Sequence, residues 1–388
     1  MEPEAAGTLR LMIWNINSLV PTVRNFILKY GSFRGFFEEH SVQIACLQET
    51  KMLDDKLTKD LVCLEGYESF WATSREKKGY SGVTTYASTA YSPVKAEADC
   101  LGDGESDLDR EGRVVLTDHM AFVLVNVYAP NAGERPERPR KDFKCRFLTA
   151  LKAKCDSLRA KGREVLIVGD LNVAASQRDV HPKFSYEALY SEEENQAMHA
   201  LLGEYTDVWR HRHPQDTSTY TVWDEKTSAR AFNEGLRIDY ALCTPGLLAK
   251  VVSCEVVQTP PKWSDHAAMV LELRDISPIA AHAPCALSSS RMKRFNDRGQ
   301  PSVATMFGRK PASKRAAGLE AEQVPGASRK VSKQEGASAA APESRTRPSA
   351  TAPGQLDQPR LSAAKTTAPE EQQFQRATQP AQGLIWQP

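Results

Sequence analysis

The apolar positions of this chain recur in short strand-like runs up to about residue 273, and the pattern then disappears. Leu9 to Trp14, Val42 to Leu47, Gly82 to Ala87 and Arg113 to Thr117 read as strands. Phe122 to Tyr128, Val165 to Val168, Arg237 to Leu242 and Ala267 to Leu273 complete the set. Two segments carry the helical period instead. Asp142 to Ala160 places Phe143, Phe147, Leu151, Cys155 and Leu158 on one stripe and stops at Gly162. Ser191 to Leu202 opens with a capping box formed by Ser191 and Glu194. Strands at short intervals with helices among them predict an α/β sandwich rather than a barrel.

Beyond Leu273 the chain is dominated by Pro, Ala, Ser, Gln, Arg and Lys, with no Tyr. Such a segment buries too little apolar surface to offset chain entropy, so 9–275 is read as the folded domain and 276–388 as a disordered tail. Charge divides the same way. Residues 276–388 hold 16 Lys/Arg against 8 Asp/Glu, and the remainder holds 34 against 41. A basic tail beside an acidic body suits a polyanionic partner, although a solvated tail has the same composition. The eight cysteines form no CxxC pair. Cys46, Cys145, Cys155 and Cys243 fall within apolar periods and read as reduced, core-filling thiols of a cytosolic or nuclear protein. No signal-like N-terminus or membrane-length apolar run is present.

Against this frame, five polar clusters stand at the ends of predicted strands: Trp14–Asn17, Gln48–Lys51, Gly169–Asn172, Arg237–Tyr240 and Ser264–His266. Asp170 follows the run Val165–Val168, where a carboxylate can activate water or bind a divalent ion; Asn172 can hold a phosphoryl oxygen. Either could equally be part of a turn. Glu49 repeats the design after Ile44–Leu47. Asn15 and Asn17 flank Ile16 at strand spacing. Asp239 offers a carboxylate that would fix the tautomer of His266 and keep it protonated. Tyr128 ends its strand before Ala129-Pro130-Asn131 and could donate to a phosphate oxygen. With no zinc-spaced Cys/His cluster, the oxygen-rich set Asn15, Glu49, Asp170, Asn172 and Asp265, with His266 beside it, fits Mg²⁺, for which Mn²⁺ can substitute. No Walker or Rossmann loop occurs.

The order of the clusters is more specific than any one of them. WNIN, QETK, GYSG (Gly79–Gly82), EGR (Glu111–Arg113), NVYAPN (Asn126–Asn131), GDLN, LRIDY (Leu236–Tyr240) and WSDH (Trp263–His266) follow one another. The series resembles the exonuclease III-like class II AP endonucleases of the endonuclease/exonuclease/phosphatase superfamily over about residues 9–273. Asp109–Arg113, Lys141–Leu151 and the long tail are most similar to the AP endonuclease 2 branch. The resemblance implies a four-layered α/β sandwich of two packed sheets flanked by helices. It also implies a nuclear base-excision-repair enzyme hydrolysing DNA phosphodiesters at abasic sites and 3′ ends. Glu49 would be a principal Mg²⁺ ligand with Asn15 and Asp265 nearby, and Asp170 the proton acceptor. Asn172 would stabilise the transition state, while His266, oriented by Asp239, and Tyr128 would bind the scissile phosphate. Asn17, Lys51, Tyr80, Arg113, Asn131 and Trp223 would contact DNA, the protein acting as a monomer.

Other nucleases of the superfamily, retrotransposon-type or DNase I-like, are the nearest alternatives; a non-catalytic DNA-binding scaffold is a more distant one. Lys51, GYSG and the combination of LRIDY with WSDH favour the AP endonuclease branch. Where that family walls its sugar pocket with aromatics, this chain has Val222, Leu236 and Ile238. That departure implies strong 3′-end processing beside weaker abasic-site incision. The residues that wedge into DNA in some relatives have no clear counterpart, Glu134 and Lys226 standing near those loops. In the tail, Gln300, Val303 and Phe307 resemble a box that binds the sliding clamp PCNA, with Met306 in place of the usual first aromatic. Arg309-Lys310 and Lys314-Arg315 read as an import signal or a DNA-contacting arm. The Cys-bearing finger common in that branch has no counterpart after Cys285.

Overall fold

Strands that are apolar on both faces must be covered on both faces, and this chain solves the problem with four layers. The computed structural model describes residues 7–102, 104, 106–133 and 137–296. Its strands are β1 (Leu9–Asn15), β2 (Ile44–Gln48), β3 (Tyr67–Ala72), β4 (Val83–Ser88), β5 (Lys95–Ala98), β6 (Val114–Asp118) and β7 (Val123–Tyr128). They continue with β8 (Val165–Asp170), β9 (Thr206–Asp207), β10 (Val222–Trp223), β11 (Gly235–Leu236), β12 (Asp239–Cys243), β13 (Val251–Val257) and β14 (Ala268–Leu273). One sheet has the order β13-β14-β1-β2-β4-β3 and the other β5-β6-β7-β8-β12-β9, with β10 and β11 forming a separate ribbon. The expected sandwich with flanking helices is the fold observed.

The period of two decides what each face meets. Leu9, Leu11 and Ile13 of β1 point between the sheets, against Leu166, Val168 and Ala241 of the other sheet. Met12 and Trp14 point the other way, onto Phe26, Phe36 and Phe37, which belong to helices α1 (Leu19–Tyr30) and α2 (Phe33–Glu39). The second sheet is covered by α3 (Lys141–Arg159) and α4 (Glu192–Leu202) through Phe147, Leu151, Cys155, Met198 and Leu201. The capping box of Ser191 and Glu194 is formed as its spacing predicts.

Each sheet contains one parallel pair, β1 with β2 and β7 with β8, and its other pairings are antiparallel. The C-terminal ends of β1, β2, β7 and β8 therefore share one rim with the N-terminal ends of β12 and β14. Register makes this concrete. Asp239, opening β12, lies opposite Asp170, closing β8, and Asp170 lies beside Tyr128 of β7.

Several elements differ from the periodic reading. Strands β3, β5, β9, β10, β11 and β13, and helices α1 and α2, are additional to it. β5 and β13 are edge strands whose outward residues are polar or exposed, which blurs alternation. The segment 276–296, which composition assigned to the tail, packs on the domain. Ile276 and Phe295 are fully buried, and Ser289 donates its hydroxyl to the Ser69 carbonyl at 3.0 Å. Isolated anchors of this kind produce no periodic signal. The box at Gln300, Val303 and Phe307, the basic pairs after it and Glu134 lie outside the described residues.

One buried ring makes acid stability testable. His119 stacks on Phe122, with Nδ1 2.8 Å from the Tyr91 carbonyl and Nε2 2.9 Å from the Thr117 hydroxyl. Burial pushes its pKa from 6.5 down to about 4. The unfolded chain therefore takes up this proton first as pH falls. The contribution is complete above 6.5 and is lost as pH drops toward 4, by on the order of 3 kcal/mol. In urea unfolding at several pH values, His119→Gln is expected to flatten this acid-side loss.

Candidate active site

At the shared rim the strand-end side chains converge. Asn15 is fully buried, and its single Nδ2 donates to Glu49 Oε1 at 2.9 Å and to Asp170 Oδ2 at 3.0 Å. It thereby ties a carboxylate of one sheet to a carboxylate of the other. Asn15 Oδ1 accepts from the Asn17 amide at 3.0 Å. Lys51 Nζ is shared between Asn17 Oδ1 at 2.6 Å and Glu49 Oε2 at 2.9 Å. Burial alone would raise the pKa of Glu49, but the Asn15 amide and the Lys51 ammonium outweigh it and hold the group anionic.

The second half of the site is a buried carboxylate–imidazole array. His266 Nδ1 lies 2.8 Å from Asp239 Oδ2, and Nε2 lies 3.9 Å from Asp170 Oδ2. Burial disfavours the imidazolium, yet Asp239 and then Asp170 overcome this and lift its pKa to about 10. Burial and the neighbouring Asp239 push Asp170 up to about 7. Trp14 Nε1 donates to the His266 carbonyl at 3.1 Å. Ser264 Oγ donates to the Asn15 carbonyl at 2.7 Å and accepts from the His266 amide at 3.0 Å. These two side chains lock the β14 entrance onto the end of β1.

Several residues of the site hold a left-handed backbone. Asn17, Glu49, Lys51 and Asn172 have φ of 57°, 54°, 52° and 55°, a region that costs L-residues on the order of 1 kcal/mol each. Asn172 is held by its own amide on Asp170 Oδ1 at 2.7 Å, by Nδ2 on the Ala129 carbonyl at 3.0 Å and by Asn131 Nδ2 on its Oδ1 at 3.1 Å. Gly169, at φ 120°, lets β8 pass beside β7; a Cβ there would meet the Val127 carbonyl oxygen at 2.1 Å.

Glu49, Tyr128, Asp170, Asn172, Asp265 and His266 line a cavity of about 540 Å³. Its outer wall includes Val222, Leu236 and Ile238, as the sequence suggests, and also Phe184, Tyr190 and Trp223. Val222 bridges the backbone of His266, which seats the β10–β11 ribbon directly against the site. The Tyr128 hydroxyl bonds Glu49; burial first, then the charges of Glu49 and Asp170, keep the phenol protonated.

Not every expected role matches this placement. Arg113 was expected at the DNA backbone but is fully buried. Its guanidinium donates to the Tyr128 carbonyl at 2.9 Å, the Tyr80 hydroxyl at 2.9 Å and Glu111 at 2.7 Å. A group so enclosed supports the Tyr128 strand end instead of meeting a ligand. Tyr80 belongs to the same cluster, its hydroxyl also taken by Arg140. Trp223 is buried, with Nε1 on Asn233 at 3.2 Å and Arg230 over its ring, and it contributes a wall of the cavity. Asn131 is exposed at the cavity edge, while Lys51 and Asn17 serve the Glu49 corner.

Glu49, Asp170 and Asp265 offer hard carboxylate oxygens to the cavity, which suits a divalent ion. Asp170, Asp239 and His266 also bring ligand atoms within 4.8 Å of one another. His266 fits a ligand role poorly, because its Nδ1 serves Asp239. Asn15 and Asn172 likewise spend their amides on hydrogen bonds and act as orienting groups.

Residues 12–266 match the sequence model of the Endonuclease/Exonuclease/phosphatase family. The chain belongs to that family. DNA-(apurinic or apyrimidinic site) endonuclease 2 of Mus musculus is 32% identical over 304 residues, covering 66% of this chain and 58% of that protein. The Homo sapiens protein of the same name is 31% identical over 305 residues, again covering 66% and 58%. The chain thus spans well under two thirds of these relatives. The crystal structure of the Xenopus laevis APE2 catalytic domain superimposes with a TM-score of 0.64 at 27% identity, covering 75% of this chain and 99% of that one. These likenesses bear out the resemblance read from the motif order. Site-lining or site-locking residues that sequence reasoning passed over are Trp14 and Ser264, both inside quoted motifs, and Phe184 and Tyr190, which no motif marks.

Proposed function

We propose that this chain is a divalent-metal-dependent DNA repair nuclease, using Mg²⁺ or Mn²⁺, that hydrolyses phosphodiesters at 3′ ends and abasic sites in base excision repair. One observation carries the reading: Asp170 sits between the Asn15–Glu49 corner and the Asp239–His266 pair, and Glu49, Asp170 and His266 line a single cavity. Family membership and the names of the relatives agree with it.

The roles follow from the contacts. The protonated His266, held by Asp239, offers Nε2–H to a non-bridging phosphate oxygen, and Tyr128 offers its hydroxyl beside it. Asp170, raised toward neutrality, accepts the proton of the attacking water. Asn172 Nδ2 makes a 3.4 Å contact to Asp170 Oδ2, weak enough to exchange for the oxygen that gains charge in the transition state. Glu49, Asp170 and Asp265 would hold the metal ion, which supplies charge stabilisation at the phosphoryl and leaving oxygens. In-line hydrolysis leaves a 3′-hydroxyl and a 5′-phosphate.

Beside Phe184, Tyr190 and Trp223 the wall carries the aliphatic patch of Val222, Leu236 and Ile238, which supports a grip on an extruded sugar weaker than aromatics at those three positions would provide. Matched duplexes carrying an internal abasic analogue or a blocked 3′ end test this directly. Cleavage is expected to stop with EDTA and return with Mg²⁺, with 3′-end removal faster than internal incision. Dominant internal incision refutes the preference, and inactivity on every DNA with either metal refutes the nuclease. The nucleus as location, action as a monomer and contact with the clamp through Gln300, Val303 and Phe307 belong to the same proposal. No helix among the described residues is long and apolar enough to cross a membrane.

A further inference from the structure

Beneath Asn172 lies an ion pair that the proposed chemistry does not use. Lys144, on α3, and Glu194, on α4, are both essentially inaccessible to solvent. Lys144 Nζ donates to Glu194 Oε1 at 2.8 Å and to the main-chain carbonyl of Asn172 at 2.6 Å. It also lies 5.4 Å from the centre of the Tyr190 ring. Glu194 is itself constrained, because its Oε2 accepts the Ser191 amide at 2.9 Å in the capping box and pairs with Arg138.

We infer that Lys144, held by Glu194, is a positioning residue that clamps the main chain of Asn172 in the geometry required for hydrolysis, an inference that rests on the nuclease reading above. Asn172 occupies the left-handed region at φ 55°, where its backbone needs an external tie to stay. The short contact is to its carbonyl, so release would loosen the 2.7 Å bond from its amide to Asp170 and the carboxamide contacts together. Finally, a buried pair of this kind contributes little net stability compared with apolar side chains of equal volume. Folding energy is therefore a weak explanation for a lysine in this place.

The test compares the full-length wild type with Lys144→Met, Lys144→Arg and Glu194→Gln on a duplex with a blocked 3′ end, with a thermal melt of each. Lys144→Met is expected to lower kcat about 10- to 100-fold while KM stays within about twofold. Lys144→Arg keeps a cationic donor and is expected to recover most of the loss. Glu194→Gln retains an acceptor for the cap and is expected to reduce kcat less, with KM again unmoved. It carries the test if Lys144→Met fails to fold. Unchanged kcat in a folded Lys144→Met, or in Glu194→Gln where that variant carries the test, overturns the inference. So does a Lys144→Arg protein that melts like wild type yet recovers nothing. A wild type inert on all DNA brings down the nuclease reading and this inference together; an active wild type with an unimpaired Lys144→Met brings down this inference alone.

Discussion

Asp170→Asn is expected to reduce phosphodiester cleavage by about 10²- to 10⁴-fold while leaving DNA bound. The substitution is nearly isosteric and can still accept the Asn15 amide, now 3.0 Å from Oδ2. What it removes is the oxygen proposed to take the water proton, together with one carboxylate of the proposed metal site. Glu49→Ala should fall comparably for a different reason. It deletes the anion that receives Asn15 and Lys51, and that corner then has nothing to order around a cation. Single-turnover cleavage beside fluorescence anisotropy on the same duplex separates rate from binding. An Asp170→Asn enzyme within about tenfold of wild type would remove the proposed base from the mechanism.

Asp239→Asn should cost nearly as much, about 10²- to 10³-fold, although Asp239 does not line the cavity. Its carboxylate accepts from His266 Nδ1 and outweighs the burial that would otherwise keep the ring neutral. Without that charge the ring's pKa falls from about 10. The imidazole then loses its positive charge near neutral pH and is free to adopt the other tautomer. The sign is testable. Wild-type affinity for DNA should be flat between about pH 6 and pH 8 as far as this ring is concerned, whereas that of Asp239→Asn should strengthen toward the acid side. A variant with wild-type kcat, or with no added pH dependence, would show that the pairing seen here does not govern phosphate binding.

Much of the architecture was legible from alternation, because β1, β7, β8 and β14 are buried on both faces and carry little that is polar before their ends. The helix stripe through Phe147, Leu151 and Cys155 was equally clear. The edge strands β5 and β13 were not, since solvent on one side permits polar residues that break the period. The anchors Ile276 and Phe295 escaped because a single buried side chain in an irregular segment has no neighbours in sequence to announce it.

For the site, the residue types and their order along the chain already named Asn15, Glu49, Asp170, Asn172, Asp239, Asp265 and His266, because strand ends are where a sheet can expose polar groups. Local sequence could not assign which of them touch. The antiparallel register that sets Asp239 against Asp170, the burial that withdraws Arg113 from solvent and the lysine under Asn172 all depend on contacts between elements distant in sequence. Hydrophobic patterning thus determined most strands of both sheets, the helices over the second sheet and the rim that carries the chemistry. Packing across the two sheets decided which groups meet, which are buried and in which direction each pKa moves, since those properties depend on the three-dimensional surroundings of each group.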